Sequence, residues 1–147
     1  MKKLIEMLRR HEGVETHAYK CSGTPPKITV GVGRNIDPAG GLGLSTDEID
    51  YLLANDIARC VKELEGFPWF PGLVGARRDA MIDICFNLGI SRLKLFKLAL
   101  AAMGNQQYDE AADQFLLSRW AKQVGNRAIE LAEMIRTSEY QKTINTH

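Results

Sequence analysis

Residues 11–37 read HEGVETHAYKCSGTPPKITVGVGRNID, and the way this stretch folds governs how the rest of the chain is read. HAYK (residues 17–20) and PKITVGVG (residues 26–33) have the composition of two short strands. The run Ser22-Gly23-Thr24-Pro25-Pro26 between them is rich in turn-forming residues, and its two prolines stiffen the connection. The spacing predicts one small antiparallel sheet within residues 17–36. Three polar residues of the stretch stand out as chemistry: Glu12, Cys21 and Thr29.

Upstream, Leu4, Ile5 and Leu8 form an apolar stripe with charges on the other face, which predicts an amphipathic helix over residues 2–11 stopped by Gly13. Downstream, DPAGGLG (residues 37–43) is a loop, because its proline and three glycines disfavour regular structure. Ser45-x-x-Glu48 is a capping box. Ile49, Leu52, Leu53, Ile57 and Val61 then recur at helical spacing until Gly66, which predicts a helix over residues 46–65. GFPWFPG (residues 66–72) reads as a rigid aromatic turn.

The remainder is helical in pattern. RRDAMIDICFNLG puts Met81, Ile84, Cys85 and Leu88 on one face. RLKLFKLALAAMG and QYDEAADQFLLSRW each read as one helix, and NRAIELAEMIRT as another with Asn126 as its N-cap. The fold class expected is α+β and mostly helical: a small N-terminal lobe (about residues 12–45), a linking helix, and a helical lobe (about residues 66–147) joined by the helix over residues 2–11, all one domain.

Composition narrows the function classes. A chain of 147 residues is long enough to bury a sizeable core. A net charge of +1 gives no general electrostatic case for a nucleic-acid partner. Cys21, Cys60 and Cys85 form neither a disulfide framework nor a zinc pattern, and Cys60 and Cys85 fall in apolar helical runs as small buried hydrophobes. No 18-residue apolar run is present, so stable membrane insertion is not expected. The opening MKKLIEMLRRHEG has basic residues without the apolar core of a signal peptide.

Each of the three polar residues has a plain reading beside a chemical one. Glu12 at a helix end is ordinarily just solvated, but the negative end of the helix dipole favours the protonated carboxyl that a general acid requires. Thr29 suits a strand by propensity, or holds a water. Cys21 opens a polar turn, an unusual place for a residue type that is usually buried. No sequence-adjacent histidine makes a thiol–imidazole pair for a cysteine protease, although His11 and His17 are near.

MLRRHEG…AYKC…ITVGVG resembles the catalytic segment of the phage-type lysozymes, glycoside hydrolases in which a Glu before Gly is followed, after eight residues, by Asp or Cys and then by Thr in a T-[IV]-G-[YIV]-G run. STDEIDYLLANDI resembles that family's long inter-lobe helix, RRDAMIDICFNLG its R-x-A segment, and YDEAADQFLLSRW and GNRA its C-terminal signatures. The resemblance runs in order through nearly the whole chain. It departs in a seven-residue hairpin between Cys21 and Thr29, in a shortened segment from Arg34 to Leu44, and in Arg34 where the T-even enzyme has histidine.

The resemblance implies a two-lobed lysozyme-like fold and an endolysin, a muramidase that hydrolyses the β-1,4 bond between N-acetylmuramic acid and N-acetylglucosamine. Glu12 would be the general acid, with Cys21 and Thr29 activating or positioning water. Asn35, Phe86, Asn87 and Gln114 would face the sugar, and Arg127 would stand near the catalytic glutamate. For Phe86 core packing is the competing reading, and Trp69 and Trp120 are expected as core or turn anchors. No cofactor and no metal are implied. The expected partner is bacterial peptidoglycan, the expected state a monomer. The expected location is the host bacterial cytoplasm until a holin-type release to the wall. Two alternatives stand beside this: a lytic transglycosylase making 1,6-anhydro ends, and a non-catalytic peptidoglycan-binding protein on the same fold.

Overall fold

The structure, a computed structural model, describes residues 1–141. Its order is one helix, three strands, then seven helices. The chain divides into two compact units, residues 1–52 and the residues from Leu53 on, with the boundary inside the second helix. The architecture is α+β and mostly helical, as the sequence predicts.

In the first unit α1 spans Lys2–Glu12, one residue past the predicted end, so Glu12 is its last helical residue. Gly13 stops it with φ near +75°, a conformation that costs glycine least, and its N–H donates to the Arg9 carbonyl at 2.9 Å. Arg9, Arg10 and His11 occupy the last turn, where the dipole favours cations. Leu4, Ile5 and Leu8 stay about half exposed.

The predicted sheet is present and slightly larger: β1 (Glu15–Lys20), β2 (Ile28–Gly31) and β3 (Arg34–Asn35), antiparallel in the order β1-β2-β3. Tyr19 faces Thr29 across one pair and Asn35 faces Thr29 across the other. The third strand has only two residues, too few to leave a periodic signal.

The loop after β3 is ordered by one side chain. Asp37 accepts from Ile28 N–H (3.1 Å) and Ala39 N–H (2.9 Å), and these two bonds, that to Ile28 foremost, hold its carboxyl below the usual range. Gly41 lies so close that a Cβ there would sit 2.5 Å from the Asp37 nitrogen, so no larger residue fits this turn. The capping box forms as read, with Glu48 accepting from Ser45 N–H at 2.8 Å and Ser45 Oγ accepting from Glu48 N–H at 3.3 Å. It opens α2 (Thr46–Leu64), whose bounds match the predicted helix to one residue.

The second unit holds the core. After the distal part of α2 come α3 (Gly75–Leu88), α4 (Ile90–Leu93), α5 (Lys97–Gly104), α6 (Tyr108–Leu116), α7 (Arg119–Val124) and α8 (Asn126–Thr137). Met81, Ile84, Cys85 and Leu88 of α3 are all buried, as their spacing predicts. They share a core with Ala111, Ala112 and Phe115 of α6 and Leu131, Ala132 and Ile135 of α8. No strand occurs between residues 77 and 135.

Three local readings are corrected. The single helix predicted from Arg92 to Gly104 is broken between α4 and α5, because a turn at Lys94–Phe96 directs both Leu93 and Phe96 inward. The helix predicted through Trp120 is broken at Ser118, whose Oγ accepts from Ala121 N–H at 3.2 Å and so caps α7 instead of continuing α6. Asn126 is not the cap of α8. Gly125, at φ near +61°, takes that position and Asn126 lies inside the helix.

Candidate active site

The first unit carries Glu12 at the end of α1, Cys21 just past the end of β1, Thr29 in β2 and Asn35 in β3. Glu12 is exposed at the end of α1. The turn joining β2 to β3 comes up against its carboxylate: a Cβ built on Gly33 would lie 2.8 Å from Glu12 Oε2. Gly33 also has φ near +68°, so both its backbone and its lack of a side chain are needed. Sequence reading passed over Gly33 as a partner of Glu12. The signal available was the second glycine of GVG, on a tight turn within reach of α1's end.

Cys21 closes the β1–β2 hairpin. Its N–H donates to the Lys27 carbonyl at 2.9 Å, and its Sγ accepts from the Lys27 N–H at 3.3 Å. The thiol is half-buried. Its pKa lies below the ordinary value, first because of the Lys27 N–H and next the Gly23 N–H, with a smaller contribution from the Thr29 hydroxyl; partial desolvation opposes all three. Thr29 is the one buried polar residue among those described, and its hydroxyl donates to the Lys27 carbonyl at 3.0 Å. That hydroxyl has one proton, so it serves either the carbonyl or Sγ at a given moment. Lys27 thus holds Cys21 and Thr29 through its backbone, a role that a sequence letter does not display.

Asn35 is half-buried and its Oδ1 accepts from the Asp37 N–H at 3.0 Å, so its side chain also organises the loop. Next to it Arg34 donates to the Gly43 carbonyl (3.0 Å) and to Glu48 (2.9 Å). Glu48 is held at about 2, foremost by the Ser45 N–H and then by Arg34.

The second unit carries the other candidates at three separate places. Phe86 is exposed rather than packed in the core, and with Arg127 it lines a cavity of about 590 Å³ walled by Leu53, Ile57, Ile82 and Met134. Arg127 donates through Nε and Nη2 to Asp83 Oδ1 at 2.9 and 2.7 Å. Asn87 accepts from Trp120 Nε1 at 2.7 Å. Trp120 is buried and edge-on to Phe115, and Trp69 stacks on Phe67 at 5.2 Å, so both tryptophans are anchors. Gln114 donates to Glu110 at 2.9 Å and lines a different groove. Cys60 and Cys85 are buried, and burial, then the nearby Cys60 thiol, pushes Cys85 up to about 12, which leaves it inert. Among the described residues no three His, Cys, Asp or Glu side chains gather as metal ligands.

The sequence matches the model of a family described as Phage lysozyme over residues 9–139. It is 26% identical over 98 residues to a Dictyostelium discoideum protein named Probable T4-type lysozyme 1, which covers 64% of this chain and 58% of that one. It is 26% identical over 139 residues to the Endolysin of Bacillus phage B103, covering 90% of this chain and 51% of the phage protein. The chain spans a little over half the length of each of these curated relatives. Since the family match begins ahead of Glu12, passes through the Cys21 hairpin and ends beyond α8, it takes in every segment from which the candidate residues come, and the chain belongs to the phage lysozyme family.

Proposed function

We propose that this chain is a lysozyme that hydrolyses the β-1,4 bond between N-acetylmuramic acid and N-acetylglucosamine in bacterial peptidoglycan. Glu12 gives its proton to the leaving glycosidic oxygen as the C1–O bond breaks. A water attacks C1 from the opposite face, and its proton passes to the Cys21 sulfur as thiolate, with Thr29 fixing where that water sits. This is the inverting arrangement, with sulfur in place of the second carboxylate. The observation that carries the reading is the Cys21 thiol, poised by the Lys27 and Gly23 N–H groups toward its ionised, proton-accepting form. Asn35, Phe86, Asn87, Gln114 and Arg127 are proposed as substrate contacts or supports. As an endolysin the protein would act as a monomer, reaching the wall of its bacterial host by a holin-type route.

A second reading, lytic transglycosylation, is favoured by the same residue, because internal attack by the sugar's own hydroxyl needs no carboxylate where Cys21 stands. Mass spectrometry of digested peptidoglycan separates the two: hydrolysis leaves reducing muramic ends, and 1,6-anhydro ends would replace the proposal with its competitor. Glu12→Gln is expected to lower wall clearing by about a hundredfold or more at an unchanged melting temperature. Near-normal activity in that variant would remove Glu12 from the mechanism.

A further inference from the structure

Asp37 has no part in the proposed reaction, yet it is built into the small sheet. It is half-buried just past β3 and spends both carboxylate oxygens on backbone. Oδ1 accepts from the Ile28 N–H at 3.1 Å and Oδ2 from the Ala39 N–H at 2.9 Å. The Lys27 ammonium adds a second strap to the same loop, donating to the Ala39 carbonyl at 3.1 Å.

The Ile28 N–H belongs to the same planar peptide unit as the Lys27 carbonyl. That carbonyl accepts from the Cys21 N–H at 2.9 Å and from the Thr29 hydroxyl at 3.0 Å. One rigid unit therefore joins Asp37 at its N–H edge to Cys21 and Thr29 at its carbonyl edge. A carboxylate on the N–H fixes the plane and polarises it, which makes the carbonyl a stronger acceptor. Thr29 is almost wholly buried, so protein partners and not bulk solvent decide where its hydroxyl proton points.

We propose that Asp37 is a positioning residue of the hydrolytic site, acting through the Lys27–Ile28 peptide to hold the Thr29 hydroxyl proton on the Lys27 carbonyl. The inference rests on the hydrolase reading. A hydroxyl has one proton and two lone pairs. With the proton held by the carbonyl, Thr29 meets the attacking water as an acceptor. The water then gives one O–H to the Cys21 thiolate and the other to Thr29, and its remaining electron pair faces C1. With the proton turned to Sγ instead, Thr29 would occupy the base and compete with the water for it.

The test is steady-state kinetics on purified peptidoglycan with Asp37→Ala and Asp37→Asn. Asp37→Ala should lower kcat by about tenfold and change KM by less than about twofold. Asp37→Asn, which keeps an acceptor for the Ile28 N–H, should fall between it and the parent. In a Thr29→Val background the hydroxyl that Asp37 directs is gone, so Asp37→Ala should there cost less than about twofold in kcat. A merely structural aspartate would cost the same factor in either background, and that result would overturn the proposal. Independently of activity, exchange of the Cys21 amide in Asp37→Ala should quicken by about tenfold or more, since the carbonyl that protects it is no longer held. An unchanged Cys21 amide would overturn the proposal too. If Asp37→Ala does not fold, Asp37→Asn replaces it in every arm. Reducing muramic ends together with a parent-like kcat in Asp37→Ala would overturn this inference alone, whereas 1,6-anhydro ends would remove the attacking water and the hydrolase reading with it.

Discussion

Lys27 holds Cys21 through two backbone contacts, a carbonyl accepting from the cysteine N–H and an N–H donating to its sulfur. Because that N–H and the one of Gly23 favour the thiolate, a base at this position should work at lower pH than an ordinary thiol. The rate is expected to rise with pH along a limb whose midpoint lies below 9.0, the ordinary thiol value. Cys21→Asp should retain activity and carry that limb down toward the carboxylate range, about 3.9. Cys21→Ala should be impaired throughout. A matching rate and pH profile in the alanine variant would make the cysteine a bystander. At Gly33 the demand is steric. Alanine would bring a Cβ to 2.8 Å from Glu12 Oε2 on a backbone at φ near +68°. Gly33→Ala should therefore cost about 1–2 kcal/mol of stability. Displacing the carboxylate should also lower kcat by about tenfold or more, read from initial rates of wall clearing. Glu12, Cys21 and Thr29 could be singled out from residue type and spacing. Gly33 and Lys27 could not, because one contributes the absence of a side chain and the other contributes backbone.

At the scale of elements, the start of α2 is the clearest case of a sequence signal becoming structure. Ser45 and Glu48 cap each other, and Arg34 brings β3 to the same carboxylate. Glu48 is held at about 2 against an ordinary 4.5, so its stabilising contribution is fully present above 4.5 and is lost as pH falls through about 2. Glu48→Gln should lower the melting temperature at neutral pH and flatten its decline between about pH 4.5 and 2, as followed by circular dichroism. An equally steep acid decline in the variant would place the sensitivity elsewhere. Helix α3 was equally legible, since Met81, Ile84, Cys85 and Leu88 form an unbroken buried face. The α4–α5 and α6–α7 breaks were not. Apolar residues recur through Leu93, Leu95 and Phe96 and through Phe115–Leu117 without a breaking residue, and the core decides which of them turn inward. Only Ser118, a good capping residue, marked one break locally. The Arg127–Asp83 pair joins residues 44 apart, which no local pattern encodes.

For the whole molecule, burial is very unevenly divided. Every buried hydrophobic residue described lies at Cys60 or later, and Thr29 alone is buried in the first unit. Stability therefore rests on the helical unit. Phe115→Ala should cost about 3–5 kcal/mol in denaturant unfolding, since Phe115 is almost wholly buried and packs on Phe96 and Trp120. Amide exchange should be slowest in α3, α6 and α8 and markedly faster in β1–β3; equal protection in the two groups would show that the small sheet is stabilised by more than its own contacts. That unevenness has a use in engineering. The hairpin from Ser22 to Pro26 is exposed at every position and contributes nothing to the buried core, so Thr24, Pro25 and Pro26 at its far side can be exchanged for other loop residues at little thermodynamic cost, while Gly23, whose N–H holds the Cys21 thiol, is kept. Changing what the small lobe meets is then a matter of grafting at the tip of the hairpin while leaving the helices as they are.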